Sequence, residues 1–120
     1  MAGLVETLEA IKARPGVYLG RPSVSDLFMF LVGYEFSRSE LGIDLTAQEQ
    51  AFYDEFQPWL QQRLNMTSVA SWAKLIMLSC HDEQVGFDRF FQLLDEFWQH
   101  HQRVESLEID RTAKVASSVQ

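Results

Sequence analysis

Cys80-His81-Asp82 places a thiol, an imidazole and a carboxylate side by side, the residue types of a nucleophilic site or a metal site. Their adjacency argues against both. Consecutive residues on a helix point about 100° apart, so Cys80 and His81 do not share a site within one regular helix. A nucleophilic Cys also needs a base delivered by the fold. The simpler reading is a buried Cys at a helix end. His100-His101 could join His81 around a metal, yet the spacing matches neither a paired-Cys site nor a His-x-x-x-His face. Glu96 and His100, four apart, read as an ion pair near a helix carboxy terminus, where the dipole favours a cation. Asp54-Glu55, Asp82-Glu83 and Asp95-Glu96 are neighbouring carboxylates, but acid–base work needs two carboxyls in different environments within one cleft. Each pair reads as a solvated helix face. The expectation is no catalytic residue, no metal and no cofactor.

Binding is better served. Tyr18, Tyr34, Tyr53, Trp59 and Trp72 each combine an apolar body with a polar tip, a type enriched in protein interfaces. The acidic charge is uneven. Residues 42–66 carry Arg63 against Asp44, Glu49, Asp54 and Glu55. Residues 67–101 carry Lys74 and Arg89 against Asp82, Glu83, Asp88, Asp95 and Glu96, so each block is net −3. A partner-binding surface is expected from Tyr53, Asp54, Glu55, Trp59, Asp88 and Asp95. The alternative is a pocket built from Arg14, Tyr18, Arg21 and Tyr34, where two guanidinium groups flanking an aromatic would receive a small anionic ligand.

A chain of 120 residues is one domain, and 47% hydrophobic with 12% aromatic residues is enough to bury a core. With a formal net charge of −7 and ten Lys and Arg scattered singly, nucleic-acid backbone and membrane surfaces are excluded as partners, and a basic protein fits. Cys80 is the sole cysteine, so no internal disulfide forms. Glu6 and Glu9 stand where a secretory signal would be basic, and the longest apolar run, Leu27 to Tyr34, is too short to span a bilayer. A cytoplasmic protein is expected.

The elements that must position these residues are helical. Leu4, Leu8 and Ile11 repeat at helical spacing, and Pro15 ends that segment. Arg14 to Pro22 should form a short rigid loop, with Val17, Tyr18 and Leu19 plugged into the surrounding helices. Ser23 or Ser25 caps the next helix, whose run Leu27 to Tyr34 is apolar on every face and should sit in the middle of the fold. Gly33 would mark a close helix crossing, and Gly42 a stop. Thr46-Ala47-Gln48-Glu49 is a capping box. The helix it opens presents Phe52, Phe56, Trp59 and Leu60, and Pro58 should bend or split it. Thr67 or Ser68 caps a short helix carrying Val69, Trp72, Ala73, Ile76 and Cys80. Asp82 caps the last, where Phe87, Phe90, Phe91, Leu94, Phe97, Trp98 and His101 keep helical spacing. The reading is an all-α, single-domain bundle of about five helices over residues 1–108, followed by a polar tail, 109–120.

Two resemblances accompany this reading. Leu8 to Gly20, with Arg14-Pro15-Gly16-Val17-Tyr18-Leu19-Gly20, resembles the amino-terminal helix and loop of the gyrase B subunit family, where it precedes an ATPase domain. That family also needs an Asp-x-Gly-x-Gly nucleotide loop. No Asp here is followed by Gly two residues later, so no ATPase activity and no tight nucleotide binding are expected. The order Arg14-Pro15-Gly16, Gly33-Tyr34, Phe56-x-x-Trp59-Leu60, Ser71-Trp72 and Phe90-Phe91-x-Leu93-Leu94-Asp95-Glu96-Phe97 resembles small bacterial proteins similar to immunity proteins of polymorphic-toxin systems. The resemblance implies a non-enzymatic protein that occludes a basic partner such as a nuclease-like toxin.

Overall fold

The computed structural model describes residues 2–68 and 70–118. The described residues are all-α: α1 (Leu4–Ala13), α2 (Pro15–Leu19), α3 (Val24–Glu40), α4 (Ala47–Arg63), α5 (Trp72–Met77) and α6 (Glu83–Ser118). No helix among them is long and apolar enough to cross a membrane. The sixth segment beyond the expected five is α2. Pro15 sits at its first position, where a missing N–H costs nothing, and Gly20 closes it at φ 80°. The segment from Arg14 is thus a helical turn rather than a loop. Val17 is exposed and Tyr18 is 43% exposed, resting edge-on against Phe30, while Leu19 packs on the core.

The core is aromatic and belongs to α4, α5 and α6. Phe56 is stacked on Phe52 at 5.1 Å and meets Phe97 edge-on at 5.4 Å, and Trp72 of α5 stacks on Phe90 at 4.8 Å. Leu4, Leu8 and Ile11 of α1 and Val24, Leu27 and Leu31 of α3 close it from outside. The apolar run of α3 is therefore not central. Only one side of it is buried, and Met29, Val32 and Phe36 face solvent. A Cβ on Gly33 would meet nothing within 4 Å among the described residues, so this glycine marks no crossing. The close approach is at Gly86, where a Cβ would lie 2.7 Å from Val24 Cγ1 and 2.8 Å from Met77 Sδ. Gly86→Ala should lower stability by roughly 1–3 kcal/mol through overpacking, against a gain of about 1 kcal/mol in helix propensity. A denaturation midpoint that stays level or rises would show that Val24 and Met77 give way freely.

Polar joints fix the helix starts. Ser23 caps α3, accepting from Asp26 N–H at 3.2 Å, and its hydroxyl donates to Glu83 Oε2 at 3.1 Å. Ser25 donates to the same carboxylate through its N–H at 2.9 Å and its hydroxyl at 2.6 Å. Burial raises the Glu83 carboxyl, but these hydrogen bonds prevail and hold it below the ordinary carboxylate value. At the other end, Thr46 and Glu49 form the capping box of α4, and Gly42 at φ 68° follows the end of α3.

Other departures have local causes. α4 runs through Pro58 without a break. Pro58 is exposed, so the carbonyl it leaves unbonded, that of Asp54 one turn earlier, can be satisfied by water. Ser71, not Thr67 or Ser68, caps α5, which ends at Met77; Val69 lies outside the described residues. Asp82 caps α6 as read, accepting from Val85 N–H at 2.8 Å. That helix continues to Ser118, so residues 109–118 of the expected tail are helical. Residues 119–120 lie outside the described ones. Its 36 residues account for the 59 Å long axis of the molecule, since a helix rises 1.5 Å per residue.

Candidate functional site: an acidic groove between α4 and α6

Arg63, the last residue of α4, donates to Glu96 of α6 at 3.1 Å and ties the two helices together. Between them lies a groove of about 400 Å³ lined by Glu55, Pro58, Trp59, Gln62, Phe97, His100, His101, Val104, Glu105 and Glu108. The floor is aromatic. Trp59 is stacked on Phe56 with centroids 6.0 Å apart and meets Phe97 at 5.6 Å and the His100 ring at 6.4 Å. Because this indole is backed by the core, its free edge is held in position at no further entropic cost.

The walls are acidic. Glu55 comes from α4, and Glu105 and Glu108 from α6, and among the described residues no Lys or Arg lines the groove. His101 Nδ1 lies 3.5 Å from Glu55 Oε2, and its ring stacks on Phe97. Three carboxylates line the groove beside an apolar floor, whose low-dielectric wall strengthens their field. The groove supplies acceptors and aromatic faces to an incoming group.

The six residues expected to bind a partner divide among separate places. Glu55 and Trp59 line this groove. Tyr53 lies on a second groove between α3 and α4, of about 240 Å³, with Phe28, Val32, Glu35 and Trp72. Burial first, and then the Glu35 carboxylate, push the Tyr53 phenol up to about 12. Asp54 is exposed and accepts from Gln50 Nε2 at 2.8 Å. Asp95 borders a third groove, against Lys12 of α1, and Asp88 is exposed nearer the start of α6. Asp88 and Asp95 stand on the face of α6 away from the Phe97 stripe, so they do not join Glu55.

Comparison with protein-family models, with curated proteins and with solved structures finds no match.

Arg21 donates to the exposed Asp26 at 3.0 Å, Tyr34 donates to the Ala2 carbonyl and lies under the Arg38 guanidinium, and Arg14 is exposed at the end of α1. None of the three grooves described is lined by these residues or by Tyr18. Among the described residues no group of three His, Cys, Asp or Glu is placed to hold a metal ion. His81 pairs with Asp82 at 3.4 Å at the surface, away from His100 and His101.

Sequence reasoning missed Glu105 and Glu108 because it weighed acidic charge only as far as residue 101. The signal was present: Phe97, His101, Val104 and Glu108 continue the three-and-four spacing that begins at Phe87.

Proposed function

We propose that this protein is a binding protein of the immunity or antitoxin kind, a helical bundle whose α4–α6 groove holds a basic segment of another protein. The observation that carries the reading is the groove itself. Glu55, Glu105 and Glu108 line the groove with Trp59 and Phe97, and no Lys or Arg lines it among the described residues. A Lys or Arg of the partner lays its aliphatic stem on the indole, where a cation–π contact contributes about 0.5–2 kcal/mol, and reaches a carboxylate with its charged end. The remaining negative charge of the molecule steers the approach of a basic protein and occludes its own anionic target.

The test uses a synthetic amphipathic helical peptide carrying Lys and Arg on one face and Leu on the other, read by indole fluorescence. Wild type should bind it, and binding should weaken as salt rises, because screening shortens the field to about 8 Å at physiological ionic strength. Glu105→Lys with Glu108→Lys should weaken binding at least about tenfold and flatten the salt dependence, a change of about 1.4 kcal/mol or more. Asp88→Lys with Asp95→Lys, which leaves the groove intact, should have a smaller effect. Equal losses for both pairs would mean that overall charge, not the groove, governs binding, and would sink the assignment.

A further inference from the structure

The α4–α6 groove contains two of the chain's three histidines. His101 reaches across it from α6 to α4. Its Nδ1 lies 3.5 Å from Glu55 Oε2, and its ring is stacked on Phe97 with centroids 6.3 Å apart. Phe97 is 1% exposed, so the imidazole rests on the packed core and not on a loose side chain. His100 stands beside it, its ring 6.4 Å from that of Trp59.

The charged groups around His101 are acidic on both helices. α4 contributes Glu55, and α6 contributes Glu105 one turn further on, Glu108 beyond it, and the neighbouring imidazole of His100. On its other side His101 borders a second groove with Ala47, Gln48, Trp98, Gln102 and again Glu105. Among the described residues no Lys or Arg lines either groove. The start of α4, at Ala47 and Gln48, presents the positive end of its helix dipole there, which works against an imidazolium.

We infer that, on the reading of the groove as the site of a basic segment, binding there is gated by pH: the groove holds the segment while His101 is neutral and releases it once His101 is protonated. Imidazole is the side chain whose ordinary charge change falls between about pH 5 and 8, whereas carboxylates ordinarily titrate near 4 and Lys and Arg above 10. Acidification through that range therefore acts on the two imidazoles and leaves the carboxylates and the partner's cations charged. Protonated His101 faces Glu55 as an ion pair, which occupies an acceptor that the partner's Lys or Arg would otherwise use. It also fixes a positive charge inside the groove. With His100 protonated as well, three carboxylates against two imidazolium ions leave a net −1 where there was −3. A cation that binds better beside the neutral imidazole is held above that range and lost as pH falls through it, and by reciprocity its binding releases protons.

The same Lys, Arg and Leu helical peptide tests the gate, with its amino terminus acetylated so that none of its own groups titrates between about pH 7.5 and 5.5. Titration calorimetry at constant ionic strength, with native circular dichroism confirmed at both pH values, should show wild type losing at least about fivefold in affinity over that drop. Each variant is read as the ratio of its own two affinities. The ratio should approach one in His100→Gln with His101→Gln, with His101→Gln alone removing the larger part. His81→Gln, altered at the surface outside the groove, should keep the wild-type ratio. Wild type should also release protons on binding near pH 6.5, seen as a heat that varies with the ionisation enthalpy of the buffer. An affinity that stays level from neutral to acid pH overturns the gate and leaves the groove assignment standing. So does binding without proton release, a result that needs no variant, or a drop that persists in the double variant. A peptide that binds at neither pH sinks the groove assignment and the gate with it.

Discussion

Glu49→Leu should destabilise the protein by about 3–5 kcal/mol, the range for leaving a buried charge without its counter-ion, whereas Arg38→Met should cost clearly less. Both side chains are buried, but they are not equivalent. The Glu49 carboxylate accepts from the Arg38 guanidinium, from Thr46 N–H at 2.9 Å and from Leu4 N–H at 2.9 Å, and so joins the starts of α1 and α4 to the end of α3. Removing it orphans all three donors. Removing Arg38 leaves Glu49 with its two backbone donors, and Arg38 Nε already has no acceptor among the described residues. Urea denaturation of the two variants distinguishes them, and an equal or larger loss for Arg38→Met would contradict this division of roles. Acid adds an independent check. Burial raises the Glu49 carboxyl, but the hydrogen bonds from Arg38, Thr46 and Leu4 together outweigh it and bring it down to about 2, from an ordinary 4.5. A depressed carboxyl contributes stability that is present above the unfolded value and lost as pH falls through the folded one, here between about 4.5 and 2. Glu49→Gln should therefore be less stable than wild type at neutral pH, with the difference shrinking across that window. A constant difference from pH 6 to pH 2 would show that the charge is not what is lost.

How much of this was legible follows from which signals are local. The Thr46–Glu49 box, the Asp82 cap and the stripe from Phe87 to His101 depend on residues within a turn or two of each other, and their spacing states them directly. Glu49 shows the boundary of that method. Its bond to Thr46 is written in the spacing, but its bond to Arg38 depends on how α3 returns against α4. Glu83 read as one of a solvated pair, yet it fastens two serines sixty residues away in sequence terms, near Ser23 and Ser25. The run from Leu27 to Tyr34 misled for the opposite reason. Hydrophobicity on every face implies burial only if every face has a neighbour, and α3 lies against the core on one side alone. For the groove, the aromatic anchor Trp59 and one wall, Glu55, were readable from α4. The other wall was hidden because acidic charge was weighed only as far as residue 101.

Phe56→Ala is the second large effect expected, about 3–5 kcal/mol, as for other buried Phe truncations. Phe56 is almost fully buried and its ring lies within 6.0 Å, centroid to centroid, of Phe52, Trp59, Trp72, Phe90 and Phe97. Those five come from α4, α5 and α6, so the cavity would open where three helices meet, and the rings around it are too rigid to collapse into the space. Tyr18→Ala is the contrast. A ring plugged into the surrounding helices, as the sequence suggests, would cost a few kcal/mol. With the ring 43% exposed and touching Phe30 by its edge, the loss should stay near or below about 1 kcal/mol. Paired denaturation curves should therefore separate the two substitutions by at least about 2 kcal/mol, and midpoints that coincide would refute the placement of the core. Phe56 also links stability to the groove. Its ring backs the indole of Trp59, so the milder Phe56→Leu should keep the fold yet loosen the floor. The basic peptide should then bind more weakly with its salt dependence unchanged, because the carboxylates of Glu55, Glu105 and Glu108 remain in place while the surface that orients the ligand does not.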